Sequence, residues 1–180
     1  MAKGIKIVNM VVSTDFQHPL NLEKIASTLP NTEYNPEQFP GLVIRLKTPK
    51  SSALLFTTGR VVCTGAKTMK EVKESIHKIM KLLERVKVKI NIEPEIKVQN
   101  MVASGALGFA LNLNDLVMKL RNVEYEPEQF PGLVYKIKEP KASFLLFSNG
   151  KIVCTGVKSR KEADDAVAKL EATLEKVRKK

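Results

Sequence analysis

Apolar positions recur at two spacings along this chain, and the switch between them predicts its elements. Near-continuous apolar runs at 5–12 and 95–103 predict strands. Shorter runs at 42–47, 53–56 and 60–64, with counterparts at 133–138, 144–147 and 151–155, predict more of them. Helical spacing at Leu22, Ile25, Ala26 and Leu29 predicts short helices over 20–29 and 111–120. Two longer stripes predict long closing helices: Val72, Ile76, Ile79, Met80, Leu83 and Val86, then Ala163, Ala166, Val167, Leu170, Leu174 and Val177. Thr68-x-x-Glu71 and Ser159-x-x-Glu162 are capping boxes at their starts. The Pro-bearing segments 35–40 and 126–131 cannot be helical and read as projecting loops. Thr57-Thr58-Gly59 and Ser148-Asn149-Gly150 read as hairpin turns, Pro49-Lys50 and Pro140-Lys141 as loops between strands, and 88–94 as a linker.

The pattern is written twice. Offset by 91 residues, about 40 of the 89 paired positions are identical without a gap. EYNPEQFPGLV from Glu33 matches EYEPEQFPGLV from Glu124, and LLFTTGRVVCTGAK from Leu54 matches LLFSNGKIVCTGVK from Leu145. Residues 1–91 and 92–180 therefore read as two repeats of one pseudo-two-fold unit. Two copies are too few for a solenoid.

The strands depart from the alternation that a sheet with one wet face should show. Two helices per repeat cover one face. The other would carry Asn9, Val11, Leu54, Phe56, Val62 and Thr64, then Asn100, Val102, Leu145, Phe147, Val153 and Thr155. An apolar surface of that size marks a binding site. The pattern alone leaves a second protomer open as its occupant.

Charge narrows the choice. Thirty Lys and Arg against 19 Asp and Glu give +11, which favours a polyanionic partner. The surplus is uneven: 15 basic and 7 acidic residues in 1–91 (+8), 15 and 12 in 92–180 (+3). The longest weakly polar run, 101–111, is too short for a membrane helix, which takes roughly 20 residues. Asn9 and Asp15 break any signal-peptide pattern. Two Cys without a CxxC pair suggest a reducing compartment and no structural metal; Cys63 and Cys154 fall on the core face. His18 and His77 stand alone, and no Gly-rich phosphate loop or carboxylate cluster is present, so no cofactor and no enzyme are expected.

The tandem repeat, paired FPGLV segments, PK loops and LLF…VCTG hairpins resemble the TATA-box-binding protein family of general transcription factors, over essentially the whole chain. The resemblance implies an α+β saddle: a ten-stranded curved antiparallel sheet, four helices on its convex face, promoter DNA beneath. It implies minor-groove binding with Phe39 and Phe56, and Phe130 and Phe147, as paired wedges. Asn9, Asn100, Thr64 and Thr155 would donate to A·T acceptors, while Val11, Val62, Val102 and Val153 would refuse the guanine amine. Leu54 and Leu145 complete the apolar floor. Arg45, Arg60, Lys67, Lys136, Lys141, Lys151 and Lys158 match the phosphate-facing rim, with Lys50 paired to Lys141. Glu126, Glu128 and Gln129 match the docking loop for transcription factor B, through which RNA polymerase is recruited. The resemblance looks archaeal in lacking an N-terminal extension, although the chain ends in basic rather than acidic residues, 175–180. That implies a cytoplasmic protein, or a nuclear one if eukaryotic. A scaffold that pairs with a protein or with itself through the apolar face is the alternative, and a homodimer of the free protein is compatible with both. The basic helix residues Lys70, Lys73, Lys78, Lys81 and Arg85 read as a solvated face.

Overall fold

In the computed structural model, residues 3–178 are described, with side chains from residue 5. Lys179 and Lys180 of the basic end lie outside them. The chain runs β1 (Lys3–Asp15), α1 (Leu22–Thr28), β2 (Thr32–Glu33), β3 (Leu42–Lys47), β4 (Lys50–Leu55), β5 (Arg60–Ala66), α2 (Met69–Leu83), β6 (Lys97–Ala106), α3 (Leu113–Lys119), β7 (Val123–Glu124), β8 (Leu133–Lys138), β9 (Lys141–Leu146), β10 (Lys151–Val157) and α4 (Arg160–Arg178). A 3-10 turn, Glu84–Val86, follows α2. The strands hydrogen-bond in the order β2-β3-β4-β5-β1-β6-β10-β9-β8-β7, an α+β architecture.

Two compact units divide the described residues: 9–99, and 3–8 together with 100–178. In the 9–99 unit, β1 pairs with β5, β5 with β4, β4 with β3 and β3 with β2, all antiparallel. In the other, β6, β10, β9, β8 and β7 repeat that ladder.

Local chemistry sets the helix ends. Asn21 caps α1 by accepting from Lys24 N–H, and Asn112 caps α3 by accepting from Asp115 N–H. These caps start both helices two residues later than the apolar spacing predicts. Thr68 Oγ1 accepts from Glu71 N–H (3.1 Å), while Glu71 Oε1 accepts from Lys67 N–H (2.9 Å). Ser159 does the same for Glu162 at the foot of α4. Both long stripes face inward as predicted, with only Met80 and Val177 half-exposed.

Strand bounds differ at several places: β1 runs on to Asp15, β6 spans Lys97–Ala106, and β5 and β10 continue to Ala66 and Val157. β4 and β9 begin at Lys50 and Lys141, earlier than predicted, because Thr48-Pro49 and Glu139-Pro140 are two-residue turns that pair Lys47 with Lys50 and Lys138 with Lys141. Both strands stop one residue before Phe56 and Phe147. The two-residue strands β2 and β7 exist only through their pairing to β3 and β8, and no local run announces them.

Candidate nucleic-acid interface

Strand alternation divides each unit into a helix-covered face and an open one. In the 9–99 unit Met10, Val12, Ala53, Leu55, Val61 and Cys63 are buried. Their neighbours Asn9, Val11, Leu54, Phe56, Val62 and Thr64 are each half-buried. In the other unit Ala103, Leu146, Ile152 and Cys154 are buried, while Asn100, Val102, Leu145, Phe147, Val153 and Thr155 are half-buried. The register builds rows from these residues. Val43, Leu54 and Val62 stand side by side, as do Arg45, Ser52 and Thr64. Val134, Leu145 and Val153, then Lys136, Ser143 and Thr155, repeat both rows. Each open face is thus an apolar row beside a hydroxyl row that ends on a cation.

Each apolar face carries a pair of phenylalanines. The rings of Phe39 and Phe56 meet edge to face with centroids 6.0 Å apart; those of Phe130 and Phe147 meet at 5.9 Å. Phe39 and Phe130 are each 43% exposed, rare for rings of this size. A one-turn loop holds each in place. Asn35 C=O accepts from Gln38 and Phe39 N–H, and Glu126 C=O accepts from Gln129 and Phe130 N–H. Gly41 and Gly132 make room: a Cβ there would lie 2.6 Å and 2.7 Å from the Phe39 and Phe130 rings.

The amides are fixed as firmly. Asn9 Oδ1 accepts from Gly65 N–H (2.7 Å) and its amide lies 3.1 Å from Thr64 Oγ1. Asn100 repeats this with Gly156 N–H (2.7 Å) and Thr155 Oγ1 (3.0 Å). The register shifts of β5 against β1 and of β10 against β6 fall at these glycines, whose φ values are +101° and +96°. A bulge with glycine in that region re-aims its N–H out of the ladder. With Oδ1 engaged by the glycine N–H and one amide N–H on the threonine hydroxyl, the orientation of each Asn side chain is set by its neighbours on β5 or β10.

Arg45, Arg60, Lys67, Lys136, Lys141, Lys151 and Lys158 are exposed, as is Lys50. Among the described residues none of them is in a salt bridge. Glu126, Glu128 and Gln129 are exposed on the Phe130 loop. Burial pushes the thiols of Cys63 and Cys154 from 9.0 up to about 11, so both are inert neutral groups at physiological pH. Among the described residues no acidic, His or Cys cluster could hold a metal, and no helix is long and apolar enough to cross a membrane.

Sequence reasoning alone does not single out Gly41, Gly132, Gly65, Gly156, Val43, Val134, Ser52 or Ser143 for this face. Their presence in both repeats was the available signal.

Comparison with known proteins agrees with this geometry. The family model described as transcription factor TFIID (or TATA-binding protein, TBP) matches residues 4–86 and again 95–177. The chain is 49% identical over 177 residues to a TATA-box-binding protein of Methanocaldococcus jannaschii, covering 98% of this chain and 97% of that one. It is 50% identical over 175 residues to one of Picrophilus torridus, covering 96% and 95%. A solved structure of Methanococcus jannaschii TBP superposes with a TM-score of 0.89 at 50% identity, covering 96% of this chain and 98% of that one. Two family matches at the two repeats, near-complete relatives and a shared fold lead to one statement: this chain belongs to the TATA-box-binding protein family, transcription factors rather than enzymes.

Proposed function

We propose that the open faces of the two units bind TATA-like promoter DNA through its minor groove and kink it. The observation that carries this reading is the half-exposed Phe pair of each unit beside an apolar row and a pinned amide donor. Apolar wedges driven between base steps are the established device of this family of sheet-type minor-groove binders. Unstacking costs a few kcal/mol per step. Apolar burial, at roughly 25 cal/mol per Å², and phosphate contacts offset it. TA steps unstack most easily, so TATA-like sequences are favoured without direct reading. The remaining amide N–H groups of Asn9 and Asn100, with Thr64 and Thr155, donate to A N3 and T O2. The flanking valines give the guanine amine no acceptor. Such a site separates A·T from G·C but hardly A·T from T·A.

The exposed Glu126, Glu128 and Gln129 suit a basic partner surface. In this reading they dock transcription factor B, through which RNA polymerase joins. The same half-exposed apolar face supports self-association of the DNA-free protein, which sedimentation with and without duplex would reveal.

The deciding test uses three duplexes: a TATA site, its I·C-substituted copy and a G·C control. Inosine·cytosine keeps the A·T minor-groove pattern and changes the major groove. Binding and bending of the first two with little of the third is expected. Equal binding to all three would refute the reading.

A further inference from the structure

The two units differ in charge at repeat-equivalent surface hollows. A surface hollow of the 9–99 unit is lined by Ser13, Asp15, Arg60, Glu95 and Lys97, among others. The matching hollow of the other unit is lined by Lys6, Ser104, Ala106, Phe147 and Lys151, among others. The 91-residue offset equates Asp15 with Ala106, Arg60 with Lys151, Lys97 with Lys6 and Glu95 with Gly4. One hollow therefore sets two carboxylates against two cations; the other has two cations and no carboxylate.

Register makes the contrast local. Asp15 is the direct cross-strand partner of Arg60, whereas Ala106 is the partner of Lys151. Side chains directly opposite on neighbouring strands lie close enough for charges to couple. Asp15 Oδ1 accepts from Gln17 N–H at 2.8 Å, and among the described residues the carboxylate forms no salt bridge with Arg60, so it acts on that cation through its field. A phosphate approaching Arg60 meets a cation whose field Asp15 partly cancels. A phosphate approaching Lys151 meets an uncancelled one.

We propose that Asp15 sets an unequal grip: the unit bearing Ala106 and Lys151 holds the duplex backbone more tightly than the unit bearing Asp15 and Arg60. This biases how a near-symmetric protein seats on a TATA site. The inference rests on the minor-groove reading above and adds a specificity-determining residue to it.

Asp15→Asn is the informative variant, because the amide oxygen still accepts from Gln17 N–H while the charge is gone. Ala106→Asp makes the converse change. Binding of the full chain to a TATA duplex and a G·C duplex would be followed by fluorescence anisotropy across a KCl series. At about 0.1 M salt Asp15→Asn should bind the TATA duplex two- to fivefold tighter, and its log–log salt slope should steepen by up to about 1. Ala106→Asp should weaken binding and flatten the slope by similar amounts. In the wild-type background Lys151→Ala should cost more affinity than Arg60→Ala, and in the Asp15→Asn background the two should cost the same. A gain in affinity cannot come from misfolding. A TATA-selective wild type with Asp15→Asn and Ala106→Asp both unchanged, or changed equally at every salt concentration, overturns the unequal grip alone. A wild type that fails to prefer the TATA duplex overturns the minor-groove reading, and the inference with it.

Discussion

A single methyl group would part the rings of Phe130 and Phe147. At Gly132 a Cβ would stand 2.7 Å from Phe130 Cε2, closer than carbon atoms tolerate, and a tight 3.0 Å from Phe147 Cε1. The backbone there is not what forbids alanine; the rings are. Phe130 is 43% exposed, so its ring can swing into solvent and relieve the clash without opening the core. Gly132→Ala should therefore shift the thermal midpoint by only a few degrees, about 1 kcal/mol or less. If the pair acts as the proposed wedge, the variant should nonetheless lower TATA affinity about tenfold and reduce the bend, since a splayed pair would no longer fit one base step. Melting curves and energy transfer across an end-labelled duplex would measure the two effects separately. Unchanged bending would remove the glycine from the wedge assembly.

A strand such as β5 serves two environments at once. Val62 and Thr64 lie half-buried on its open face, while Val61 and Cys63 are buried beneath. The inner face imposes a pH signature. The folded thiols of Cys63 and Cys154 titrate near 11 because burial disfavours the thiolate, against 9.0 for an ordinary thiol. Below pH 9 neither state ionises these groups and they leave stability unchanged. Between about 9 and 11 the unfolded chain loses its thiol protons first, so stability falls as pH rises, by roughly 2 kcal/mol per thiol. Between pH 8 and 10.5 the urea midpoint should fall further for the wild type than for a Cys63→Ala, Cys154→Ala double variant. Equal falls would show that the thiols are solvated. The strand's double role also explains what was legible beforehand. Apolar residues on successive positions of 61–64 and 53–56 exposed the second face, and the repeat fixed which residues lay on it. The bulges at Gly65 and Gly156 were not legible, because a bulge is defined by the partner strand. The strands β2 and β7 were hidden for the same reason: Thr32-Glu33 and Val123-Glu124 become strand only when β3 and β8 are alongside. Phe39 and Phe56 were each visible, but their edge-to-face pairing depends on a loop and a hairpin 17 residues apart.

Over the whole chain the proposed complex combines two forces of different range, and salt separates them. The net charge of +11 and seven exposed cations free of salt bridges among the described residues supply a long-range, screened attraction. In the proposed complex the apolar rows and phenylalanine pairs would supply contact burial, which salt does not screen. If about 6–8 phosphates are neutralised, the logarithm of the TATA association constant should fall against log[KCl] with a slope near −5 to −7. Because the cations are not tied to carboxylates, little of that slope is lost to breaking ion pairs inside the protein. Lys158→Ala should flatten the slope by about 1 while leaving bending intact. Phe130→Ala should keep the slope and lower the whole line, because it removes a contact that releases no counterion. Anisotropy titrations from about 0.1 to 0.4 M KCl on one TATA duplex would place all three proteins on the same plot. Parallel, downward-shifted lines for both variants would mean that Lys158 touches no phosphate. A flattened line for Phe130→Ala would mean that the ring acts by holding neighbouring cations in place rather than by entering the stack.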